Sequence, residues 1–274
     1  MAKATRTGYA FSRSIARSIS SFAWGSWLRR LLFYILIVLA WGAVASLNIW
    51  PSYALPGPLA VLRALVDGLS SGQFLQGAAV SLQRLAIGYG ISFVAGTLLG
   101  LLIGRYRVLE ETLGSLILGL QALPSVCWLP LAILWFGLSE QAIVFVVVMG
   151  ALFSITLGVD NGIKNTPPIY LQAARTLGTR GPALATQVIL PAALPAILGG
   201  LKQGWTFAWR SLMAAELLYF TISLGNLLNS GRELNDAAQV IAVMLVIIMI
   251  GVAIDTLIFA TLERSVRERW GLQR

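Results

Sequence analysis

The sequence has no histidine, a single cysteine at Cys127 and few charged residues, which make up 11% of its 274 positions. Without histidine, nucleophilic triads that depend on imidazole and His-ligated metal sites are excluded, and we expect neither a catalytic centre nor a metal. One cysteine excludes an intrachain disulfide, and we expect this thiol, which lies in an apolar stretch, to be packed. A soluble domain carries roughly 25% charged residues, so water is not expected to be the main solvent of this chain.

Long apolar runs account for most of the chain, and hydrophobic residues form 57% of it. Six runs approach or exceed the roughly 20 residues that a helix needs to cross the hydrocarbon core of a bilayer. They are Leu31–Trp50, Leu85–Gly104, Leu113–Leu138, Ala142–Val159, Ala192–Phe220 and Ala237–Ala260. The sequence therefore predicts an all-α integral membrane protein with about six transmembrane helices.

The segments between these runs are too short to form a separate soluble domain. We therefore predict one membrane domain over residues 31–262, with a long internal loop at about residues 160–191. A basic segment, residues 1–30, precedes it, and a basic tail, residues 263–274, follows it. A short helical run, Leu59–Leu69, is predicted between the first two spans.

The basic N-terminal segment has an amphipathic pattern over residues 9–22. Phe11, Ile15, Ile19 and Phe22 fall along one helical face, and the arginines of this stretch fall off it. This pattern predicts a helix lying on the membrane surface. A cleavable signal peptide is the less favoured alternative, because the basic region is longer than in typical signals.

The basic residues are distributed very unevenly between the two sides of the predicted membrane domain. Outside the spans, only Arg63 and Arg232 fall on the side opposite to the N-terminus. Because loops rich in Lys and Arg stay in the cytoplasm, both termini are predicted to be cytoplasmic in a bacterial inner membrane. This topology also explains the net charge of +9, so nucleic acid is not expected as a partner.

The third span contains two prolines, Pro124 and Pro130, each of which removes a backbone donor from a helix. Irregular backbone at membrane depth must be buried in protein or line a cavity. The prolines therefore predict a broken span, either as a packed kink or as part of a pore lining.

A short cytoplasmic helix is predicted between spans four and five. Thr166 suits its N-cap, Pro167 its first helical position, and Gly178 the left-handed residue after its C-cap. Within the helix, Tyr170, Ala173, Ala174 and Leu177 follow the spacing of one apolar face. Such a face can dock a partner protein, rest on the membrane, or fold back on the spans of its own chain.

The sequence around this helix resembles a known motif. Gln172-Ala173-Ala174 is followed after three residues by Gly178, and after nine more by Val188-Ile189-Leu190-Pro191. This spacing is that of the EAA loop, Glu-Ala-Ala, three residues, Gly, nine residues, Ile-x-Leu-Pro, which marks permeases of binding-protein-dependent ABC importers. Gln172 stands for the family glutamate and Val188 for isoleucine. The first departure removes a carboxylate that could form a salt bridge with the ATPase.

Other stretches resemble the branch of this family that imports nitrate, aliphatic sulfonates, taurine or bicarbonate. They are Leu55-Pro56-Gly57-Pro58, Ser81 to Arg84 with Gly88-Tyr89, Pro130 to Gly137, and Ala208-Trp209-Arg210 with Ala214-Ala215-Glu216. The resemblance implies a type I ABC importer permease fold. It also implies two copies of this chain as a homodimer, two cytoplasmic ATPase subunits, and a soluble binding protein that delivers the substrate.

In that family the EAA helix sits in a groove of the ATPase. The resemblance therefore predicts an ATPase contact formed by Tyr170, Leu171, Gln172, Ala173, Ala174, Arg175 and Gly178, with Arg180 at its border. No G-x-x-x-x-G-K-[ST] loop is present, so we expect this chain to bind no cofactor. ATP and Mg²⁺ are expected to be used by the partner ATPase.

Four charged residues fall inside the predicted spans, where charges are expensive and mark functional candidates. They are Lys202, Arg210, Glu216 and Asp255. Lys202 and Asp255 lie near cytoplasmic ends and are expected to be structural. Arg210 is predicted either to line the substrate path or to bond carbonyls freed by the prolines or Glu216 of a second copy. The full set predicted for the translocation path is Gln121, Pro124, Trp128, Trp205, Arg210 and Glu216.

These patterns favour the permease subunit of an ATP-driven importer for a small anion, with an aliphatic sulfonate as the preferred substrate class. An ion-coupled secondary transporter is the alternative, because six apolar spans with a few buried charges would also suit one. An intramembrane enzyme is a more distant alternative, since no catalytic groups can be identified.

Overall fold

A computed structural model describes residues 27–47 and 49–269 of the chain. The predicted surface helix at residues 9–22 and the end of the basic tail lie outside these ranges. The described residues form helices joined by short turns, and no strand occurs among them. This observation confirms the all-α prediction.

Ten helices follow one another along the described chain. They are α1 Trp27–Ser46, α2 Pro58–Ser70, α3 Gln73–Arg105, α4 Arg107–Gln121, α5 Ser125–Phe136, α6 Glu140–Lys164, α7 Pro168–Thr176, α8 Pro182–Glu216, α9 Leu224–Glu233 and α10 Ala237–Glu268. Five of them, α1, α3, α6, α8 and α10, are long and apolar enough to cross a membrane. The pair α4 and α5, bent by 100° at its break, supplies a sixth crossing when counted as one span.

Several spans are longer than the apolar runs that predicted them. Helix α3 begins at Gln73, twelve residues before the predicted Leu85, and α8 begins at Pro182 instead of Ala192. Helix α10 continues through half of the predicted tail to Glu268. A hydropathy run marks only the part of a helix that suits lipid, whereas the hydrogen-bonded helix continues through polar turns at its ends. Arg84 consequently lies inside a helix and not at its edge.

Helix α6 lies at the centre of the fold and packs against α3 on one side and α8 on the other. The α6–α8 contact is closest at Gly158 and Gly200, where a Cβ built on Gly200 would lie 2.6 Å from the Gly158 Cα. Small residues allow this approach, which is the usual basis of helix packing in lipid. Val146, Ile155 and Leu212 complete a fully or almost fully buried core around α6.

Two ion pairs at Lys202, in the middle of α8, tie this helix to α10. Lys202 Nζ lies 3.1 Å from Asp255 Oδ1 and 3.7 Å from Glu263 Oε1. The pairing offsets the charge of both predicted intramembrane residues, and it agrees with the structural role expected for Lys202 and Asp255.

The third span breaks once and not twice. Pro124 adopts an extended conformation, φ −54° and ψ 130°, between α4 and α5. Pro130 lies in the first turn of an α-helical segment, Leu129–Phe136, where its missing N–H leaves no bond unmade. Both prolines were expected to break the span, and for Pro130 that expectation was wrong. Cys127, just after the break, is exposed, so the expectation that this thiol is packed was also wrong.

Candidate functional site

A cavity of about 280 Å³ opens at the break between α4 and α5. Its lining brings together three residues predicted for the translocation path, Gln121, Pro124 and Arg210. The other residues of the wall are Ala122, Leu123, Ser125, Val126, Met149, Gly150, Phe153 and Phe207. The irregular backbone at Pro124 thus lines a cavity, which is one of the two alternatives that the prolines left open.

Arg210 supplies the only formal charge in the lining of this cavity. The residue is exposed, and within the described residues its guanidinium forms no hydrogen bond or ion pair. The polar groups around it are neutral: Gln121 Nε2 lies 3.4 Å from Ser154 Oγ, and the Ser125 and Ser211 hydroxyl oxygens lie 2.6 Å apart. Within one copy, the guanidinium donors are therefore available to an incoming anion.

The other three residues predicted for the path lie outside the lining of the cavity. Trp128 packs against Phe145 and Phe153, with ring centroids 6.4 and 6.3 Å apart. Trp205 stacks on Trp209 at 6.4 Å. The structure places both tryptophans in aromatic clusters among the helices, where packing accounts for their contacts.

Glu216, the sixth predicted path residue, is completely buried at the end of α8. Its carboxylate accepts hydrogen bonds from the Ser81 hydroxyl at 2.7 Å, from Arg84 Nη1 at 2.9 Å and from the Gly225 backbone N–H at 3.1 Å. The Ser81 hydroxyl in turn accepts from the Leu224 N–H at 3.0 Å. The carboxylate therefore joins α8, α3 and the start of α9.

Arg84 lies between two carboxylates. Besides Glu216, its guanidinium binds Glu140 at the start of α6 with two donors, of which Nε lies 2.6 Å from Oε2, and donates to Thr221 Oγ1 at 2.7 Å. Arg84 is 5% exposed. Because its partners are Glu140 of α6, Glu216 of α8 and Thr221 in the turn after α8, this network holds together the ends of α3, α6 and α8.

Arg84 was missing from the charged residues that the sequence identified inside spans. The predicted second span begins at Leu85, so Arg84 lies just outside it in the prediction. A usable signal was present in the spacing of Ser81 and Arg84, which puts a hydroxyl and a guanidinium on neighbouring positions of one helical face. A buried glutamate in a later span requires such partners.

Helix α7 is the short helix predicted between spans four and five, but its first residue differs from the prediction. Pro168 begins the helix and Pro167 precedes it in an extended conformation. Thr166 does not cap it, because its hydroxyl donates to the Gly162 carbonyl at 3.2 Å in the preceding helix. At the other end Gly178 is left-handed, with φ 87°, as predicted. The N–H groups of Gly178 and Thr179 donate to Arg175 and Ala174, closing a Schellman motif.

The apolar stripe predicted on α7 is split between two faces. Ala174 is 7% exposed and Leu171 is half-buried, so these two residues face their own chain. Tyr170 is 47% exposed, Leu177 84% and Ile169, which the stripe did not include, 63%. The free apolar face therefore consists of Ile169, Tyr170, Ala173 and Leu177, and Gln172 and Arg175 are exposed beside it.

Lys164 forms two ion pairs just before α7, and one of them connects α6 with the broken span. Lys164, the last residue of α6, lies 2.7 Å from Asp160 Oδ2 and 2.9 Å from Glu110 Oε1 of α4. Helix α4 leads directly to Gln121 and the cavity. The end of α6, just before α7, is thus linked through Lys164 and Glu110 to the helix that carries part of the cavity wall.

Comparison with known proteins identifies the family. Residues 96–268, more than half of the chain, match the model of the binding-protein-dependent transport system inner membrane component. A protein of Escherichia coli K12 named as an aliphatic sulfonates transport permease is 32% identical over 247 residues, covering 89% of this chain and 93% of the relative. A nitrate import permease of Leptolyngbya laminosa is 31% identical over 192 residues, covering 70% and 68%.

The fold of this chain is also similar to that of a solved transporter. A chain of the inward-facing MetNI methionine ABC transporter matches with a TM-score of 0.61 and 18% sequence identity, over 71% of this chain and 96% of that one. The similarity shows a common type I importer permease fold. Together with the family match, it shows that this chain belongs to the inner-membrane permease components of binding-protein-dependent ABC importers, in the branch that includes sulfonate and nitrate permeases.

Proposed function

We propose that this permease forms the path of a small oxyanion, with an aliphatic sulfonate as the preferred class of substrate. The observation that carries the proposal is the exposed Arg210 guanidinium in the cavity at the break of the third span. A guanidinium presents planar donors that match the oxygens of sulfonate, nitrate or bicarbonate. The relatives named for sulfonate and nitrate transport support the same class of substrate.

The transport assembly in this proposal contains two copies of the permease, two separate ATPase subunits and a soluble binding protein. A cavity of about 280 Å³ suits half of a two-fold symmetric path, and closed two-fold pairing is the commonest oligomer. ATP and Mg²⁺ belong to the ATPase subunits in this assembly. In this assembly both termini lie in the cytoplasm, on the side that carries most of the basic residues of the loops.

Coupling to the ATPase is assigned to α7. Its exposed face of Ile169, Tyr170, Ala173 and Leu177 supplies the apolar contact, with Gln172, Arg175 and Gly178 at its edges. Ala174 and Leu171 support the helix from behind. Rigid movement of this helix on ATP binding passes through Lys164 and Glu110 to α4, so that the cavity opens alternately to the two sides.

Uptake of a radiolabelled alkanesulfonate into proteoliposomes that contain the complete transporter tests the proposal. We expect Arg210→Gln to leave assembly and ATP hydrolysis stimulated by the binding protein near the wild-type level, while uptake falls by at least about tenfold, as for loss of one charge-assisted contact. Arg210→Lys should be intermediate. If Arg210→Gln lowers the melting temperature and uptake per folded complex stays normal, Arg210 is structural and the path lies elsewhere.

The same vesicles separate this mechanism from an ion-coupled transporter. Uptake by the proposed assembly requires ATP and the ATPase subunits and persists when proton and sodium gradients are collapsed. Uptake that follows a gradient and proceeds without ATP would contradict the assembly.

A further inference from the structure

Three arginines from different parts of the chain line a second cavity, of about 600 Å³. Arg105 is the last residue of α3, Arg175 lies in α7, and Arg180 lies in the turn that leads to α8. The remaining wall is formed by Gly181, Pro182, Leu184, Ala185 and Ile189 at the start of α8. We call this cavity the arginine pocket.

The positive charge of the arginine pocket has no counterpart within the described chain. None of its three arginines forms an ion pair there, and no acidic residue belongs to the lining. The acidic groups of the neighbouring α4 are engaged elsewhere, Glu110 with Lys164 and Glu111 with Arg107. Three like charges around one cavity repel one another, so an anion inside it would stabilise the arrangement.

The wall opposite the arginines combines helix donors with apolar surface. Helix α8 begins at Pro182 and runs continuously for 35 residues, so the free N–H groups and positive end of its dipole lie at the pocket. Ala185 and Ile189 belong to a wide π-helical turn, Ala185–Ile189, of the same helix. Beyond it, Leu190 and Leu194 are 40% and 36% exposed, which continues the apolar surface into the membrane-spanning part.

The ends of the adjoining spans put the arginine pocket at the level expected for lipid headgroups. It lies where the spanning helix α3 ends and the spanning helix α8 begins. Tyr106, next to Arg105, is 55% exposed, and exposed tyrosines are frequent at the boundary between lipid and water. Basic pockets between spans at this level bind anionic headgroups.

We propose that the arginine pocket binds a phosphate group, which an anionic phospholipid or free phosphate supplies. Guanidinium groups form paired hydrogen bonds with phosphate oxygens. A phosphate held there joins Arg175 of α7 to the ends of α3 and α8, and thereby fixes the coupling helix against the membrane domain. This site is separate from the substrate path and goes beyond the proposed function.

The test uses the full-length permease purified with its ATPase subunits, stripped of lipid by detergent exchange and returned to nanodiscs. Discs of phosphatidylcholine with or without phosphatidylglycerol are compared, and tightly bound phosphatidylglycerol is measured by mass spectrometry together with the melting temperature. A parallel titration uses inorganic phosphate alone. We expect stabilisation by phosphatidylglycerol, and binding about tenfold weaker in the double variant Arg105→Gln, Arg180→Gln.

Arg107→Gln is the matched control, because Arg107 is two residues from Arg105, carries the same charge and has an 88% exposed side chain. It should retain the lipid. Arg105→Lys keeps the charge without the planar donors and should bind the lipid with intermediate strength. This milder variant still tests the site if the double variant fails to fold. Stabilisation by phosphatidylglycerol but not by inorganic phosphate assigns the site to lipid, and stabilisation by both assigns it to the phosphate group itself.

Two results would overturn the proposal. One is equal phosphatidylglycerol retention by the wild type and a folded double variant, without binding of inorganic phosphate. The other is unchanged lipid retention with loss of the ATPase during purification, which would show that an acidic side chain of the ATPase occupies the arginine pocket. Neither result bears on Arg210, so failure here is distinguishable from failure of the proposed substrate path.

Discussion

Arg84 and Glu216 lie 132 positions apart in the sequence, and Arg84 Nη1 donates to Glu216 Oε1 at 2.9 Å in the buried region where α3 meets the end of α8. Neither side chain is more than 5% exposed. This intramembrane glutamate, which the sequence placed in the translocation path, therefore forms in the structure a buried connection between helices.

Replacing Arg84 with glutamine should strongly destabilise the permease. Glu216 would remain fully buried without a cation, and breaking a buried pair in this way costs about 3–5 kcal/mol. Glu140→Gln is the matched control, because that side chain is 58% exposed and its replacement leaves Arg84 paired with Glu216, so we expect a smaller loss. Thermal unfolding in detergent measures both. Equal losses for the two variants would show that burial does not set the strength of the network.

The contact between α6 and α8 should not tolerate a methyl group. In Gly200→Ala the added Cβ would lie 2.6 Å from the Gly158 Cα, so the helices must separate, at a cost of about 1–3 kcal/mol. Gly199→Ala adds the same methyl group one residue earlier, where no atom lies within 4 Å. That control should be neutral or slightly stabilising, since alanine favours helix over glycine by about 1 kcal/mol. Melting temperatures that fall alike would contradict the close contact.

Replacing either of two adjacent alanines in α7 with arginine should have different effects. Ala173 is exposed, so Ala173→Arg should leave the permease folded and reduce the amount of ATPase that copurifies with it. Ala174 is 7% exposed, and Ala174→Arg should reduce the yield of folded permease, because a charged side chain must enter a packed contact. Yield of permease and ratio of ATPase to permease are measured together. Normal ATPase retention by Ala173→Arg would remove α7 from the proposed interface.

The connection between α6 and α4 should affect coupling more than stability. Lys164 and Glu110 have 33% and 47% exposed side chains, so Glu110→Gln should lower stability by only about 1 kcal/mol or less. We expect the number of substrate molecules transported per ATP hydrolysed to fall, because α7 loses one link to the broken span. Glu111→Gln disrupts an exposed pair on the same helix and should leave this ratio unchanged. An unchanged ratio in Glu110→Gln would exclude this route.

The spans could be predicted because a long apolar run is a local property of the sequence. The ends of the spans could not, since α3 continues for twelve residues of mixed polarity before Leu85. The same limit hid Arg84. Its role depends on Glu216 and Glu140, which are distant in the sequence and are brought to it only by packing of α3 against α6 and α8.

The site was predicted in part for a similar reason. Gln121, Pro124 and Arg210 were predicted for the path and share one cavity. They could be predicted because a broken span and an intramembrane charge are both visible in the sequence. Helical periodicity placed Ala174 on the same stripe as Tyr170, but periodicity cannot show which part of a stripe the chain itself covers. That distinction depends on how the turn after Gly178 brings α8 back beneath α7.

Helix α1 depends on the protein far less than the other spans do. No part of its most apolar window is buried within one copy, and its closest approach to the core is near its end, where a Cβ on Gly42 would lie 3.7 Å from Pro58. Within one copy, the neighbours of α1 are therefore lipid molecules, whereas the neighbours of α6 are the helices α3 and α8. Substitutions along α1 that preserve its hydropathy and length should therefore have little effect on the stability of a single copy. In this segment the overall apolar character is constrained, and the identity of each side chain is not.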